Sequence, residues 1–199
     1  MEFKRKIYKE FKMQQAHEII FAGFGGQGVL SMGLIIAYGG MIEGKEVSWM
    51  PSYGPEMRGG TSNCIVIVSD SRISSPIITK FDSAIILNQP SLDKFEKAVK
   101  PGGVLLYEKS TIIHPPTRTD IDIICISAIE EADKLKVKQV ANMVMVGAFL
   151  EKNPIIKIEN IVNALKKALP EHRHNMIPVN EKALLRGKEL IKEAEQVSA

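Results

Sequence analysis

EIIFAGFGGQGVLSMG, residues Glu18–Gly33, is the stretch on which the fold turns. Its first part, EIIFAG (18–23), is a compact apolar run ending in glycine, as a buried parallel strand does. Gly23, Gly25, Gly26 and Gly28 then crowd six residues. From Gly28 to Glu43 the chain is long enough for a helix and apolar on most faces; Gly33, Gly39 and Gly40 weaken that helix but let it pack closely on a sheet. Strand, G-x-G-x-x-G and helix in this order form an anion-binding turn. The glycines leave no Cβ between backbone and ligand, and the helix start offers unpaired N–H groups with partial positive charge. A phosphate, carboxylate or carbonyl suits such a turn. The same glycines also fit a tight turn that serves packing alone.

Outward from this stretch, strand and helix patterns alternate. KEVSWM (45–50) reads as a second strand and 51–60 as an irregular loop. SNCIVIVSD (62–70), DSAIILN (82–88), VLLYE (104–108) and IDIICIS (121–127) read as further strands. Pro90 stands where a helix start favours it, before SLDKFEKAV (91–99), and KPGG (100–103) reads as a turn. Helical patterns follow over 127–135, 140–151, 158–169 and 179–195; in the third, Ile158, Ile161, Val162, Leu165, Ala168 and Leu169 share a face. The expected architecture is α/β: a single Rossmann-like domain over 17–199, with a mostly parallel sheet flanked by helices and a helical C-terminal part. A polar lead-in, residues 1–16, precedes it.

The bulk properties exclude several classes. At 199 residues with a net charge of +3, the chain has room for one sizeable core and needs no polyanionic partner. The basic run MEFKRKIYKEFK reads as a solvated helix face or a frayed start, not as a nucleic-acid or membrane anchor. Cys64 and Cys125 lie far apart in apolar runs, without CxxC spacing, and read as small buried side chains. The apolar stretches near 29–42 and 140–150 are shorter than the roughly 20 residues of a membrane span and read as buried helices. A cytoplasmic protein is expected. His172 and His174 flank Arg173 without a third metal ligand, and no nucleophile elbow or paired carboxylate set appears.

A complete dinucleotide site needs an acidic residue at the end of the second strand, about 20 residues on. Glu46 stands at the start of that strand, the wrong end, and Glu56 falls in the loop after it, so the NAD reading loses its second half. The more specific signal is YGPEMRGG (53–60). Tyr53 can stack or hydrogen-bond, Pro55 fixes a backbone turn, and Gly59 and Gly60 let backbone approach a ligand. Arg58 can grip a phosphate or carboxylate bidentately, with Glu56 two residues away. A structural loop with an internal Glu–Arg pair is the plainer reading. Loops that follow strand ends meet at one edge of an open α/β sheet, which would bring this loop beside Gly23–Gly28. Trp49, Met50 and Met57 nearby are expected at an interface.

GFGGQGV followed by SYGPEMRGG resembles the gamma subunit of the 2-oxoacid:ferredoxin oxidoreductases. The resemblance runs on through SNCIVIVSD, Ser75-Pro76, FDSAIILNQPSLDKF, PGGVLLYEKS, Asn142 and PVNEKALLRG, over roughly residues 17–190. YGPEMRGG followed by a serine and an asparagine is closer to the 2-oxoglutarate and branched-chain 2-oxoacid types than to the pyruvate type. The resemblance implies oxidative decarboxylation of a 2-oxoacid, 2-oxoglutarate first, to an acyl-coenzyme A with reduction of ferredoxin. Thiamine diphosphate, Mg and iron–sulfur clusters would sit on alpha and beta subunits, with a ferredoxin-like delta subunit as an optional member. This chain has neither the Gly-Asp-Gly…Asn-Asn pattern of thiamine enzymes nor cysteine sets for clusters, so it would bind no such cofactor and show no activity alone. Coenzyme A is the co-substrate. Gly25, Gly26, Gln27, Gly28, Tyr53, Gly54, Pro55, Glu56, Arg58, Gly59 and Gly60 are the expected contacts to coenzyme A or to partner subunits. Neither nucleic acid nor membrane is an expected partner, and an isolated chain could pair with itself. The alternatives are the small subunit of indolepyruvate ferredoxin oxidoreductase and a stand-alone module for a phosphorylated ligand.

Overall fold

A computed structural model describes residues 16–53 and 61–198. In chain order the elements are β1 (His17–Phe24), α1 (Val29–Ile42), β2 (Glu46–Tyr53), β3 (Thr61–Ser69), β4 (Phe81–Ile86), α2 (Gln89–Phe95), β5 (Val99–Glu108), β6 (Asp122–Ile126), α3 (Ala128–Lys134), α4 (Ala141–Lys152), α5 (Ile158–Ala168) and α6 (Ile177–Ser198). The six strands form one sheet in the order β2-β3-β1-β4-β5-β6. β1, β4, β5 and β6 pair in parallel. β3 is antiparallel to both β1 and β2, so it alone runs against the rest. The sheet is therefore mixed, with the expected parallel majority.

Strand residues alternate between two apolar layers, as the period of two requires. Ile19 and Phe21 of β1, Cys64, Val66 and Val68 of β3, and Leu106 of β5 face one layer. There they meet Met32 and Ile36 of α1, Ala132 of α3, Val144 and Phe149 of α4, Leu165 of α5 and Leu184 of α6. Ile20 and Ala22 of β1, Ala84 and Ile86 of β4, and Leu105 and Tyr107 of β5 face the other layer, against Leu92 of α2. α4 is buried from Met143 through Leu150, which explains why its sequence is apolar all round. It crosses α6 at two facing glycines: a Cβ on Gly147 would strike the Leu184 carbonyl, and one on Gly187 the Val144 carbonyl.

Several expectations need correction. β2 continues through Pro51 to Tyr53, where a loop was expected. Pro51 is tolerated because β2 is the outermost strand and can lack one donor. The helix expected over 91–99 begins at Gln89 and gives way to a 3₁₀ turn at Glu96–Ala98, and Val99 already belongs to β5. Asn88 sets the earlier start by accepting a hydrogen bond from Ser91 N at 2.9 Å. KPGG is a bulge inside β5, not a turn before it: Phe81 pairs with Val99 but Ser83 pairs with Val104. Cys64 is buried as expected, whereas Cys125 is exposed because β6 is the other edge strand. Among the described residues, no helix is long and apolar enough to cross a membrane.

Candidate functional site

The chain leaves β1 through α1 to β2 and β3 on one side, and reaches β4 on the other. The carboxyl ends of β1 and β4 therefore flank the switch point of the sheet, where open α/β folds seat ligands. The glycine turn lies at this point. β1 ends at Phe24, Gln27 N donates to Phe24 O at 3.2 Å, and Gly28 caps α1 in the left-handed region at φ 80°. Among the described residues no side chain caps α1, and no acidic residue sits in its first turn. Among the described residues, the N–H groups and dipole at this helix start are thus left without an anion.

Gln27 is bonded to its own loop and to the end of β4. Its Oε1 accepts from Phe24 N at 2.6 Å, and its Nε2 donates to Leu87 O at 3.0 Å. Asn142, in the first turn of α4, stands against the loop. A Cβ on Gly28 would collide with the Asn142 carboxamide, and Asn142 Oδ1 is buried without a hydrogen-bond partner among the described residues. An orphaned buried acceptor costs about 1–3 kcal/mol, so its place at an uncapped helix start is informative. The sequence holds one hint of it, since Asn142 falls within the matched pattern; nothing in the spacing tells that α4 folds back onto Gly28.

The second loop is joined to the same edge. Its expected residues Gly54, Pro55, Glu56, Arg58, Gly59 and Gly60, with Met57, lie outside the described residues. Its two ends do not: Tyr53 closes β2 and pairs with Ser62 of β3, and Ser62 pairs with Gly23 of β1. Thr61, where the chain re-enters the sheet, pairs with Phe24. The ends of both loops therefore stand on adjacent strands at one edge, as expected.

Cys64 Sγ and Trp49 Nε1 both lie against Gly33 of α1, and Cys64 Sγ donates weakly to Val29 O at 3.5 Å. Burial pushes the Cys64 thiol up to about 12, which removes it as a nucleophile. Trp49 is partly buried and packs against the core, with its indole nitrogen buried. Glu108, buried at the end of β5, accepts from Ser110 N at 2.6 Å, Ser110 Oγ at 2.7 Å, Thr111 N at 3.1 Å and Ile129 N at 3.3 Å. With its oxygens bonded in this way it ties β5 to α3. His174 Nε2 lies 3.0 Å from Leu169 O, and no group of three or more His, Cys, Asp or Glu among the described residues could hold a metal.

The family model described as pyruvate ferredoxin/flavodoxin oxidoreductase matches residues 18–190. The ketoisovalerate oxidoreductase subunit VorA of Methanothermobacter thermautotrophicus is 45% identical over 129 residues, 65% of this chain. This chain spans only about a quarter of that relative, 27% of its length. The 2-oxoglutarate synthase subunit KorC of Methanothermobacter marburgensis is 30% identical over 186 residues, covering 90% of this chain and 98% of that protein. Among solved structures, a keto/oxoacid ferredoxin oxidoreductase gamma subunit from Geobacter sulfurreducens superposes with a TM-score of 0.76 at 30% identity, over 89% of this chain and 99% of that one. A 2-oxoglutarate:ferredoxin oxidoreductase from Magnetococcus marinus shares the fold with a TM-score of 0.80 at 24% identity, over 90% of this chain and 32% of that one. The chain belongs to the pyruvate ferredoxin/flavodoxin oxidoreductase family.

Proposed function

We propose that this chain is the gamma subunit of a heteromeric 2-oxoacid:ferredoxin oxidoreductase and that its glycine edge helps form the coenzyme A site against the partner subunits. The observation that carries this reading is the uncapped start of α1 with Asn142 against Gly28, its buried Oδ1 without a hydrogen-bond partner among the described residues. An anion and a polar group on one ligand would use both features, as the phosphates and amides of coenzyme A do. Near full-length similarity to a KorC subunit, 98% of its length, supports the subunit assignment.

In this reading the N–H groups around Gly25, Gly26 and Gly28 receive a phosphate or a partner's carboxylate. Arg58 holds a second anionic group, Glu56 orients Tyr53 or a partner cation, and Gly54, Pro55, Gly59 and Gly60 shape the backbone of that loop. Thiamine diphosphate, Mg and the iron–sulfur clusters belong to partner alpha and beta subunits, with a delta subunit optional and ferredoxin as the electron acceptor. The chain works in the cytoplasm and has no turnover alone. The favoured substrate is 2-oxoglutarate. The 45% identity to a ketoisovalerate oxidoreductase subunit favours a branched-chain 2-oxoacid as the second reading.

The test is reconstitution with the partner subunits and steady-state kinetics over a panel of 2-oxoacids. Arg58→Ala is expected to raise the KM for coenzyme A with the complex intact. An unchanged KM in an intact complex removes Arg58 from the site, and loss of assembly makes it an interface residue.

A further inference from the structure

The carboxamide of Gln27 lies where the sheet would otherwise open. β1 and β4 run in parallel, with Ala22 beside Ile86, and their last backbone rung is Leu87 N donating to Ala22 O at 2.8 Å. The next rung is made by a side chain: Gln27 Nε2 donates to Leu87 O at 3.0 Å while Gln27 Oε1 accepts from Phe24 N at 2.6 Å. The amide thus bridges the ends of the two strands at the switch point. Gly23 makes room for it, since a Cβ there would fall 2.7 Å from Gln27 Oε1 and 2.9 Å from Leu87 Cβ.

The polarity of this bridge is fixed at both ends. Phe24 N can only donate and Leu87 O can only accept, so the oxygen of the side chain must face the first and its N–H the second. A carboxylate would satisfy Phe24 N and be repelled by Leu87 O. A protonated carboxyl group, with one acceptor and one donor, would satisfy both.

Resting on the coenzyme A reading above, we infer that Gln27 is a positioning residue: it closes the crevice between β1 and β4 and holds the glycine turn so that the ligand meets it from the Gly28–Asn142 side. The usual ligand position of a doubly wound sheet is thereby filled by the protein's own amide.

The full-length chain provides the test, in wild-type form and as Gln27→Glu and Gln27→Met. Backbone amide NMR resonances of Phe24, Gly25, Gly26 and Gly28 are followed against pH, and coenzyme A affinity is measured in the reconstituted complex at the two ends of the titration. In Gln27→Glu these amides are expected to titrate together, with a midpoint above the usual glutamate value of about 4.3, and to approach wild-type positions on the acid side. Coenzyme A affinity relative to wild type should fall about tenfold on the alkaline side, the order expected for one lost net hydrogen bond. Gln27→Met should show the displaced amides at every pH. Loop amides that stay at wild-type positions in both variants would overturn the inference. Amides that titrate as described in a complex that binds no coenzyme A would uphold the bridge and overturn the coenzyme A reading.

Discussion

Gly28→Ala couples backbone conformation to the candidate site. Gly28 sits at φ 80° and ψ 19°, a left-handed conformation that costs an L-residue about 1–2 kcal/mol. The added methyl would also collide with the Asn142 carboxamide and lie 3.0 Å from Asn142 Cγ and 3.3 Å from Asn142 Cβ. Forcing a side chain out of a packed position adds about 1–3 kcal/mol. The single variant should therefore lose about 3 kcal/mol. Asn142→Ala alone should cost less than about 1 kcal/mol, because removing the orphaned Oδ1 offsets the lost packing. In the Asn142→Ala background most of the collision disappears, so Gly28→Ala should cost only its backbone strain. Urea unfolding of the four proteins gives the cycle, with an expected coupling of at least about 1 kcal/mol. Effects that add to within about 0.5 kcal/mol would refute the contact on which the site rests.

Other elements of the fold yield their own tests. Gly147→Ala should destabilise by more than about 3 kcal/mol, because the methyl meets the Leu184 backbone of α6 and not a movable side chain; a thermal midpoint near wild type would disprove the close crossing of α4 and α6. In the native chain a thiol reagent should label exposed Cys125 and leave Cys64 unmodified until unfolding, as mass spectrometry of the labelled peptides would record. His17 packs on Phe149, lies 2.9 Å from Ser83 Oγ and is held below the ordinary histidine value of 6.5, chiefly by burial, with Asp82 and Glu18 opposing that shift and Lys100 adding to it. The unfolded chain then binds the extra proton first, so stability should be fully present above about pH 6.5 and fall as the pH drops below it. His17→Asn should flatten that slope, and an unchanged slope would assign the acid sensitivity to other groups.

The parts of the architecture that could be read from sequence were those written in local patterns. EIIFAG followed by glycines defined β1 and its turn, and the spacing from Ile158 to Leu169 defined α5, because burial imposes these periods directly. What escaped depended on position in the finished sheet. Pro51 argued for a loop, yet an outermost strand accepts it. Cys125 carried the same apolar surroundings as Cys64 but lies on the opposite edge, where one flank is open. At the site, the glycine turn and the junction of the second loop were legible as motifs. The internal bonding of Gln27 and the approach of Asn142 were not, because both depend on contacts between residues 60 and more than 100 positions apart in the chain, as Gln27 with Leu87 and Gly28 with Asn142 are.

The most direct test of the central claim is an anaerobic pull-down of the tagged chain from its native cells, with visible absorbance, partner masses and 2-oxoacid oxidation recorded on the eluate. A brown complex that contains thiamine- and cluster-bearing partners and oxidises a 2-oxoacid only when coenzyme A is present is the predicted result. A colourless chain recovered alone after mild crosslinking would contradict it and favour a stand-alone module for a phosphorylated ligand.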